Sequence, residues 1–228
     1  MTEPNATQTG GIVEELARDD VERKRFLKMA GKTIGSGAAA TGLAAFIAAC
    51  GSSSSSSSTA ASTSTSAAKT GSATGDLAIV NYALTLEYLE SQFYAKVVAS
   101  GLFKGSVLST LKTFGSEENE HVAALKQVAM KLGTPATEPK GKFPLTSAAA
   151  VTKLAATVEN LGAAAYLGQA PHIQSKEILA AALSIHTVEA RHAATLNTLL
   201  KLSPTPNGAF GNPASMSTVL AAVKPFIA

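Results

Sequence analysis

The chain has 228 residues, of which 5% are aromatic and none is tryptophan, and its formal net charge is +3. This length accommodates one ordinary domain and additional segments. The basic residues form no patch interleaved with aromatic side chains, so the composition argues against nucleic-acid binding. Cys50 is the single cysteine, which excludes an internal disulfide and a thiolate site for zinc or an iron–sulfur cluster. Any metal site in the later segments must therefore use histidines and carboxylates.

Residues 1–49 have the layout of an export signal. The basic stretch RKRFLK, at residues 23–28, precedes an apolar run rich in Gly and Ala at residues 33–49. This stretch resembles a twin-arginine signal in which Arg23 and Lys24 stand where the arginine pair is expected. The resemblance implies export across the cytoplasmic membrane by the twin-arginine route.

The apolar run ends in IAAC, at residues 47–50, which resembles a bacterial lipoprotein cleavage box. The resemblance implies cleavage before Cys50 and attachment of lipid to its sulfur. An uncleaved transmembrane anchor is the alternative, because the run is only about long enough to span a bilayer. Either interpretation places the remaining chain on the outer face of the cytoplasmic membrane or elsewhere in the cell envelope, tethered to a membrane.

Residues 50–75 form a Ser-, Thr- and Ala-rich segment of low complexity. The segment after Cys50 has no apolar side chain larger than that of alanine, so burial cannot offset the conformational entropy that folding would remove. We therefore predict a flexible linker between the export signal and the folded domain.

The pattern becomes helical from Asp76 onward, and we assign residues 76–228 to the folded domain. Four long helices are predicted at residues 77–99, 106–132, 147–169 and 175–202, with a short fifth helix at residues 216–223. Serine or aspartate stands near the predicted starts, and glycine or proline follows the ends. The sequence therefore predicts an all-α domain.

The predicted helices are joined by connections of unequal length. The middle connection, GTPATEPKGKFPLT, contains fourteen residues, which extend to about 46 Å. A helix of 25 residues is about 38 Å long. The connection is therefore long enough to run the length of a bundle, which predicts a four-helix bundle of two hairpins joined by one long crossover.

Each predicted long helix places one acidic residue on an apolar face near its middle, and two helices place a histidine three residues later. In helix order these residues are Glu87, then Glu118 with His121, then Glu159, then Glu189 with His192. In a bundle the six side chains converge in the interior, where they can hold two iron or manganese ions. Two divalent cations would offset the charge of four carboxylates that could not otherwise be buried together.

Glu90 is an alternative to Glu87 on the first helix. We prefer Glu87 as the ligand because Tyr94 follows it seven residues later on the same face, beside the expected site. Glu90 then lies next to the ligands or points outward. The two acids adjacent to Glu118, which are Glu117 and Glu120, project toward other faces of their helix.

Two further residues are candidates for places beside the site. Tyr166 stands seven residues after Glu159 and either lines the cavity or packs in the core. His186 lies about 60° from Glu189 on the helical wheel. It either supports the ligands or a helix–helix contact, or it lies on the surface.

The segments LEYLESQFY, EENEH, VENLGAAAY and VEARH carry these residues, and over residues 77–202 the sequence resembles the ferritin-like superfamily of di-iron carboxylate proteins. It is most similar to exported bacterial ferritin-like domain proteins, a group that includes desiccation-related proteins. The resemblance implies a ferritin-like bundle with two iron ions, or manganese, bound by the six residues named above.

The resemblance implies oxygen chemistry, because reduced di-iron centres react with dioxygen or peroxide. A ferroxidase or peroxide scavenger outside the membrane is the first functional hypothesis. The second is a bundle that is only stabilised by metal and that protects the envelope, or binds an unidentified protein partner, under water stress. A metal-free bundle is the third. Enzyme status therefore stays open, and a homodimer is compatible with the sequence.

Overall fold

The computed structural model describes residues 66–228, with side chains from Thr74 onward. The helices of this part of the chain are α1 (Ser66–Ala99), α2 (Gly105–Leu132), α3 (Ala148–Gln169), α4 (Lys176–Leu199) and α5 (Met216–Val223), with 3-10 turns at Ala170–His172 and Lys224–Phe226. None of these helices combines the length and hydropathy needed to cross a membrane. The predicted export signal, the lipidation site at Cys50 and residues 51–65 of the predicted linker lie outside the described residues.

Serine side chains begin two of the long helices, as predicted. The Ser147 hydroxyl accepts a hydrogen bond from the Ala150 backbone N–H at the start of α3, and Ser175 accepts one from Ile178 at the start of α4, both at 3.2 Å. These bonds satisfy N–H groups that have no partner within the helix. The bounds of α2 and α3 and of the short helix α5 agree with the predicted ones to within a residue.

Helix α4 ends at Leu199 rather than at the predicted Leu202. Lys201 adopts a left-handed backbone conformation with φ of 60°. Its N–H binds the Thr198 carbonyl at 2.9 Å, and the Leu202 N–H binds the Asn197 carbonyl at 2.8 Å. This pair of bonds satisfies the last carbonyl groups of the helix and terminates it.

Helix α1 begins at Ser66, well before the predicted start at Leu77. The prediction of a flexible linker is therefore wrong for residues 66–75, which are helical. Once the buried part of α1 has formed, each residue added to its end gains a backbone hydrogen bond without a new nucleation step. The linker prediction depended on the lack of large apolar side chains in this segment. Their absence does not prevent a helix that has already formed from extending through these residues.

The four long helices form two antiparallel hairpins, α1 with α2 and α3 with α4. The crossover between them runs along α1. The Asn81 side chain binds the Thr134 carbonyl and the Ala136 N–H near one end, and Gln92 binds the Gly141 N–H three turns later. The predicted four-helix bundle with one long crossover is thereby confirmed.

Two separate apolar clusters fill the bundle, one toward each end. The cluster nearer the start of α1 contains Val80, Leu84, Leu125, Val128 and Ile185. The cluster nearer the end of α1 contains Phe93, Val97, Leu111, Val151 and Leu196. Each of the four long helices contributes to both clusters, so the middle of every helix lies between two apolar layers.

Helix α5 covers the outer face of α1 and α3. Val219 of α5 packs with Leu86 of α1 and Ala165 of α3. The chain reaches this position by crossing α3 at Gly168, where a Cβ atom would lie 2.0 Å from the Ala214 carbonyl oxygen. Glycine is therefore required at the crossing, because any side chain would displace the segment that leads into α5.

The last residues of the chain pair with the crossover. The Lys142 N–H donates to the Phe226 carbonyl and the Ala228 N–H donates to the Lys140 carbonyl, both at 2.8 Å. The crossover is therefore held on one side by α1 and on the other by the end of the chain.

Asp76, ten residues after the start of α1, connects this helix to the start of α4. Its side chain is buried, with 1% exposed. One carboxylate oxygen accepts from the Gln174 N–H at 2.8 Å, and the other accepts from the Ser175 N–H at 2.9 Å. Ser175 is also the residue that caps α4, so one aspartate orients the entry into the second hairpin.

We expect Asp76→Ala to destabilise the fold by about 1–3 kcal/mol, because two partly buried backbone N–H groups lose their acceptors. Urea unfolding of the metal-free protein measures the change in the free energy of unfolding. Glu120→Ala is the matched control, since Glu120 is exposed on α2. Equal stability of the two variants would show that Asp76 does not hold the hairpins together.

Candidate metal centre

The structure brings all six predicted ligand residues together between the two apolar clusters. Every one of the four glutamates is fully buried, and the two histidines are 8% and 2% exposed: Glu87, Glu118, His121, Glu159, Glu189 and His192. Each helix contributes one glutamate from its middle. As the helical wheels predicted, each glutamate lies on the apolar face of its helix, and this face points into the bundle.

The first group of ligand atoms surrounds His121. Its Nδ1 lies 3.1 Å from Glu87 Oε2, 3.0 Å from Glu118 Oε2 and 3.3 Å from Glu189 Oε1. One donor atom from each of these four residues lies within 4.8 Å of the others. One nitrogen and three carboxylate oxygens at this spacing form a donor set suited to a divalent iron or manganese ion.

The second group surrounds His192. Its Nδ1 lies 3.0 Å from Glu118 Oε1 and 3.3 Å from Glu159 Oε2, and Glu189 completes a set of four donors within 4.8 Å of one another. Glu118 and Glu189 belong to both groups. Glu118 turns one oxygen toward each histidine, so it offers one donor atom to each group.

Several buried donor atoms of the cluster have no hydrogen-bond partner. They are Glu118 Oε1, Glu159 Oε2, both oxygens of Glu189, and His192 Nδ1. Some of these atoms lie only 3.0–3.3 Å apart, yet they are not oriented for hydrogen bonds to one another. Burial of unpartnered polar atoms is costly. A cation that meets their lone pairs would offset this cost, so the residues fit a metal centre.

The charges of the cluster are unbalanced in the part of the chain that the structure describes. Every ion pair found there joins a histidine to a glutamate, and no lysine or arginine pairs with the buried carboxylates. Two histidines, even when both are protonated, cannot neutralise four carboxylates.

Two tyrosines orient the glutamates of α1 and α3. The Tyr94 hydroxyl donates to Glu159 Oε1, and the Tyr166 hydroxyl donates to Glu87 Oε1 at 2.5 Å. Each glutamate thus has one oxygen held by a tyrosine and its other oxygen turned toward a histidine. Both tyrosines lie beside the site, where Tyr94 was expected and where Tyr166 had one of its two possible roles, and each contacts the glutamate of the opposite helix rather than of its own.

Glu117 is a site residue that sequence reasoning missed. It was expected to project away from the site, and its side chain is 42% exposed, but its Oε2 lies 2.7 Å from His192 Nε2. A carboxylate that accepts from the far ring nitrogen directs the other nitrogen, Nδ1, toward the metal. The Phe114 ring stacks on His192 at 3.9 Å between centroids. Because the contact between Glu117 and His192 joins α2 to α4, a helical wheel of either helix alone could not have indicated it.

Glu90 lies inside the bundle, with 3% of its side chain exposed. Of the two expected positions, next to the ligands or outward, the structure has the first. Glu87, and not Glu90, belongs to the group around His121. Burial and the neighbouring Glu189 raise the pKa of Glu90 well above its ordinary value, which shows that it shares the environment of the cluster.

His186 has a helix–helix role rather than a place in the cluster. The side chain is half-buried, and its Nδ1 lies 3.0 Å from the Ala163 carbonyl oxygen. The ring therefore connects α4 to α3 on the outer side of the bundle.

Burial and neighbouring charges both shift the pKa values of the cluster, and they oppose each other at the two histidines. Burial and the neighbouring Glu87 raise the pKa of Glu118 to about 7, against the effect of the two histidines. Burial alone would lower the pKa of His192, but Glu118 and Glu159 raise it to about 11. Burial would likewise lower the pKa of His121, and Glu87 raises it far above its ordinary range. Without metal, the cluster therefore retains protons that most surface groups would release.

The sequence profile of the ferritin-like domain family matches residues 75–202. This range begins beside Asp76 and contains all six residues of the cluster. No protein with a curated description matches the chain.

The chain is also similar to a solved structure, the crystal structure of a conserved hypothetical protein, rv2844, from Mycobacterium tuberculosis. The two sequences are 23% identical, the match covers 64% of this chain and 98% of that one, and the TM-score is 0.50. At this level of identity, the likeness concerns the fold alone.

We expect the metal-free protein to lose thermal stability as the pH rises from about 4.5 to about 7. The pKa of Glu118 rises from an ordinary 4.5 to about 7 in the fold, so its contribution is complete below pH 4.5 and is lost as the pH passes 7. The contribution of His192 has the same sign, is complete below pH 6.5 and is lost progressively as the pH rises to about 11.

Melting temperatures measured in a chelator between pH 4.5 and pH 8 test this expectation. Glu118→Gln should flatten the pH dependence, whereas Glu120→Gln should leave it unchanged. A wild-type melting temperature that rises over this range would contradict the assignment of protons to the buried carboxylates.

Proposed function

The chain belongs to the ferritin-like domain family, and from this we propose that its buried cluster binds two divalent metal ions, as a di-iron centre or with manganese in place of iron. The observation that carries the proposal is the set of buried, unpartnered lone pairs on Glu118, Glu159, Glu189 and His192. Four carboxylates and two imidazoles are the ligands that such centres use in helical bundles.

Each side chain has a separate role in this proposal. Glu87 and His121 would hold one ion, Glu159 and His192 would hold the other, and Glu118 and Glu189 would contribute to both. The tyrosine hydroxyls fix one oxygen of Glu87 and one of Glu159, and Glu117 holds the proton on His192 Nε2. Two ferrous ions, oxidised to ferric ions, would supply two electrons that with two protons convert dioxygen to hydrogen peroxide, or hydrogen peroxide to two water molecules.

The space around the cluster favours a small reactant. A cavity of about 30 Å³ lies beside Tyr166 with an almost wholly apolar lining, and one of about 20 Å³ lies beside Glu90 and Gly162. A single water needs about 10–15 Å³ on this measure. These two cavities, which are lined by none of the six ligand residues themselves, are large enough for dioxygen or peroxide. We therefore propose oxidation of ferrous iron or removal of peroxide as the activity.

A bundle that metal stabilises without turnover is the second candidate. All four long helices contribute to the cluster, and both groups of ligands combine residues from the two hairpins. Bound metal would therefore join the hairpins across the centre of the fold. A protein of this kind would protect the envelope, or hold a protein partner, during desiccation or a related stress.

We further propose that the domain works outside the cytoplasmic membrane. The support is in the sequence, where RKRFLK and IAAC have the order of an export signal followed by a lipoprotein cleavage box. Lipid on Cys50 would tether the domain to the membrane, with part of residues 51–65 as the spacer.

We expect the wild-type protein to bind two ferrous ions per chain under anaerobic conditions, and Glu118→Ala/Glu189→Ala to bind none. The double variant removes both bridging residues, so neither group retains more than two of its ligands. Elemental analysis after gel filtration measures the stoichiometry, and Glu120→Ala, at an exposed position of α2 that contacts none of the six ligands, is the control. Wild-type protein without stoichiometric metal would contradict the proposal.

Oxygen consumption by the loaded protein separates the two candidates. Ferrous iron that is oxidised over repeated turnovers, with loss of dioxygen or peroxide, supports the oxidoreductase. Two tightly bound ions with no turnover, together with a higher melting temperature, support the stabilised bundle.

We expect Cys50→Ala to release the protein from membranes or to leave its signal uncleaved, because the thiol that accepts the lipid is lost. Fractionation of cells and mass spectrometry of the purified chain measure the two effects, and Ser53→Ala is the control. Unchanged mass and unchanged membrane attachment in Cys50→Ala would refute lipidation.

A further inference from the structure

A cavity of about 260 Å³ lies on the outer side of the second hairpin, between its helices and the loop that joins α4 to α5. None of the six residues of the metal cluster lines this cavity. Its volume is close to the lower end of the range of about 300–1,000 Å³ that small-molecule sites occupy. Two alanines from α3 and two from α4 form its floor: Ala163, Ala164, Ala190 and Ala193.

The opposite wall of the cavity is the loop of residues 204–212. The loop ends at Ala214, whose N–H binds the Ala164 carbonyl of α3 at 2.9 Å. In its middle, the Gly208 N–H donates to the Thr205 carbonyl at 3.1 Å, within the loop itself. Prolines, which fix the backbone angle φ, stand at positions 204, 206 and 213. The loop is therefore stiffened and held over the alanines, whose side chains are too small to fill the space below it.

His186 provides a hydrogen-bond acceptor in the wall of the cavity. Its Nδ1 lies 3.0 Å from the Ala163 carbonyl oxygen. A carbonyl oxygen only accepts, so Nδ1 carries the proton and Nε2 of the neutral ring is left as an acceptor. No hydrogen bond to Nε2 is found within the described part of the chain.

Three asparagines add amide groups to the lining, Asn160 from α3 and Asn207 and Asn212 from the loop. The side chains of the two loop asparagines form no hydrogen bond with any other described residue. Each amide both donates and accepts. The cavity therefore offers donors and acceptors that the protein itself does not use.

The lining carries no permanent charge. Among the described residues, no lysine, arginine, aspartate or glutamate borders the cavity. A phosphate or carboxylate bound there would have no cationic partner, and an ammonium group would have no anionic one. The cavity therefore favours a neutral ligand with several hydrogen-bonding groups.

Phe210 places an apolar ring at the rim of this polar cavity. The residue lines the cavity and is nevertheless 84% exposed, more than any other large hydrophobic residue of the described chain. A sugar ring has an apolar C–H face that packs on an aromatic ring, and its hydroxyl groups donate to and accept from amides and imidazole. These two properties match the exposed ring and the unused polar groups.

We propose that this cavity binds a neutral saccharide, with Phe210 against the apolar face of a sugar ring and with His186 Nε2 and the asparagine amides at its hydroxyl groups. The site is separate from the metal cluster, and the inference does not depend on the proposed function.

Titration calorimetry and saturation-transfer NMR on the full-length protein test the inference, with D-glucose, N-acetyl-D-glucosamine and maltose as probes. We expect at least one of them to bind, and we expect Phe210→Ala to weaken that binding by about tenfold or more. Leu199→Ala is the matched control, since it removes an apolar side chain that is 45% exposed but lies outside the cavity. It should bind like the wild type.

Ala190→Leu provides an independent variant that fills the cavity from its floor. Leucine is nearly as favourable as alanine in a helix, and position 190 is exposed, so we expect an unchanged melting temperature together with loss of saccharide binding. Thr187→Leu adds a leucine at another exposed position of α4, outside the cavity, and should retain binding.

Charged and non-saccharide probes test the class of ligand. Glucose 6-phosphate should bind no more tightly than glucose, because no cation borders the cavity. Tighter binding of glucose 6-phosphate would contradict the inference, and so would binding of adenosine or toluene with none of the three saccharides. Saccharide binding that persists in both Phe210→Ala and Ala190→Leu would place it elsewhere on the protein. Absence of binding by all three saccharides would overturn the inference outright.

Discussion

The burial of four carboxylates at one level of the bundle is the constraint on which the rest of the structure depends. Apolar clusters lie on both sides of this level and exclude water from it. Charged groups in such an environment need compensation from ions or hydrogen bonds. The two tyrosines donate hydrogen bonds to the buried carboxylates, and the two histidines contact them. Glu117, which is partly exposed, in turn contacts His192. Four carboxylate oxygens, on Glu118, Glu159 and Glu189, still have no hydrogen-bond partner, and a metal ion can bind them.

The tyrosines hold two of the glutamates by hydrogen bonds without neutralising their negative charge. Burial and the adjacent carboxylates raise the pKa of both Tyr94 and Tyr166 well above 10, so both hydroxyl groups stay protonated and donate. A lysine at either position would neutralise the glutamate it contacts. A neutral donor instead holds one oxygen in place and leaves the other available, which preserves a binding site for a cation.

Sequence reasoning was most successful where the determining contacts lie within one helix. Ser147 and Ser175 mark helix starts because their hydroxyls bind N–H groups three residues later. The six residues of the cluster were found because each faces the apolar side of its own helix. Glu117 could not be found in this way, since its contact with His192 depends on how α2 and α4 pack. Glu90 stayed ambiguous because Gly162, on another helix, provides the room that allows it to turn inward.

The division of the ligands between the hairpins has a consequence for assembly. The group around His121 takes three of its four residues from the first hairpin and Glu189 from the second, and the group around His192 takes three from the second hairpin and Glu118 from the first. In the proposed di-metal centre, each hairpin would therefore supply three of the four donors for one ion, and docking of the hairpins would complete both donor sets with one carboxylate from the opposite hairpin.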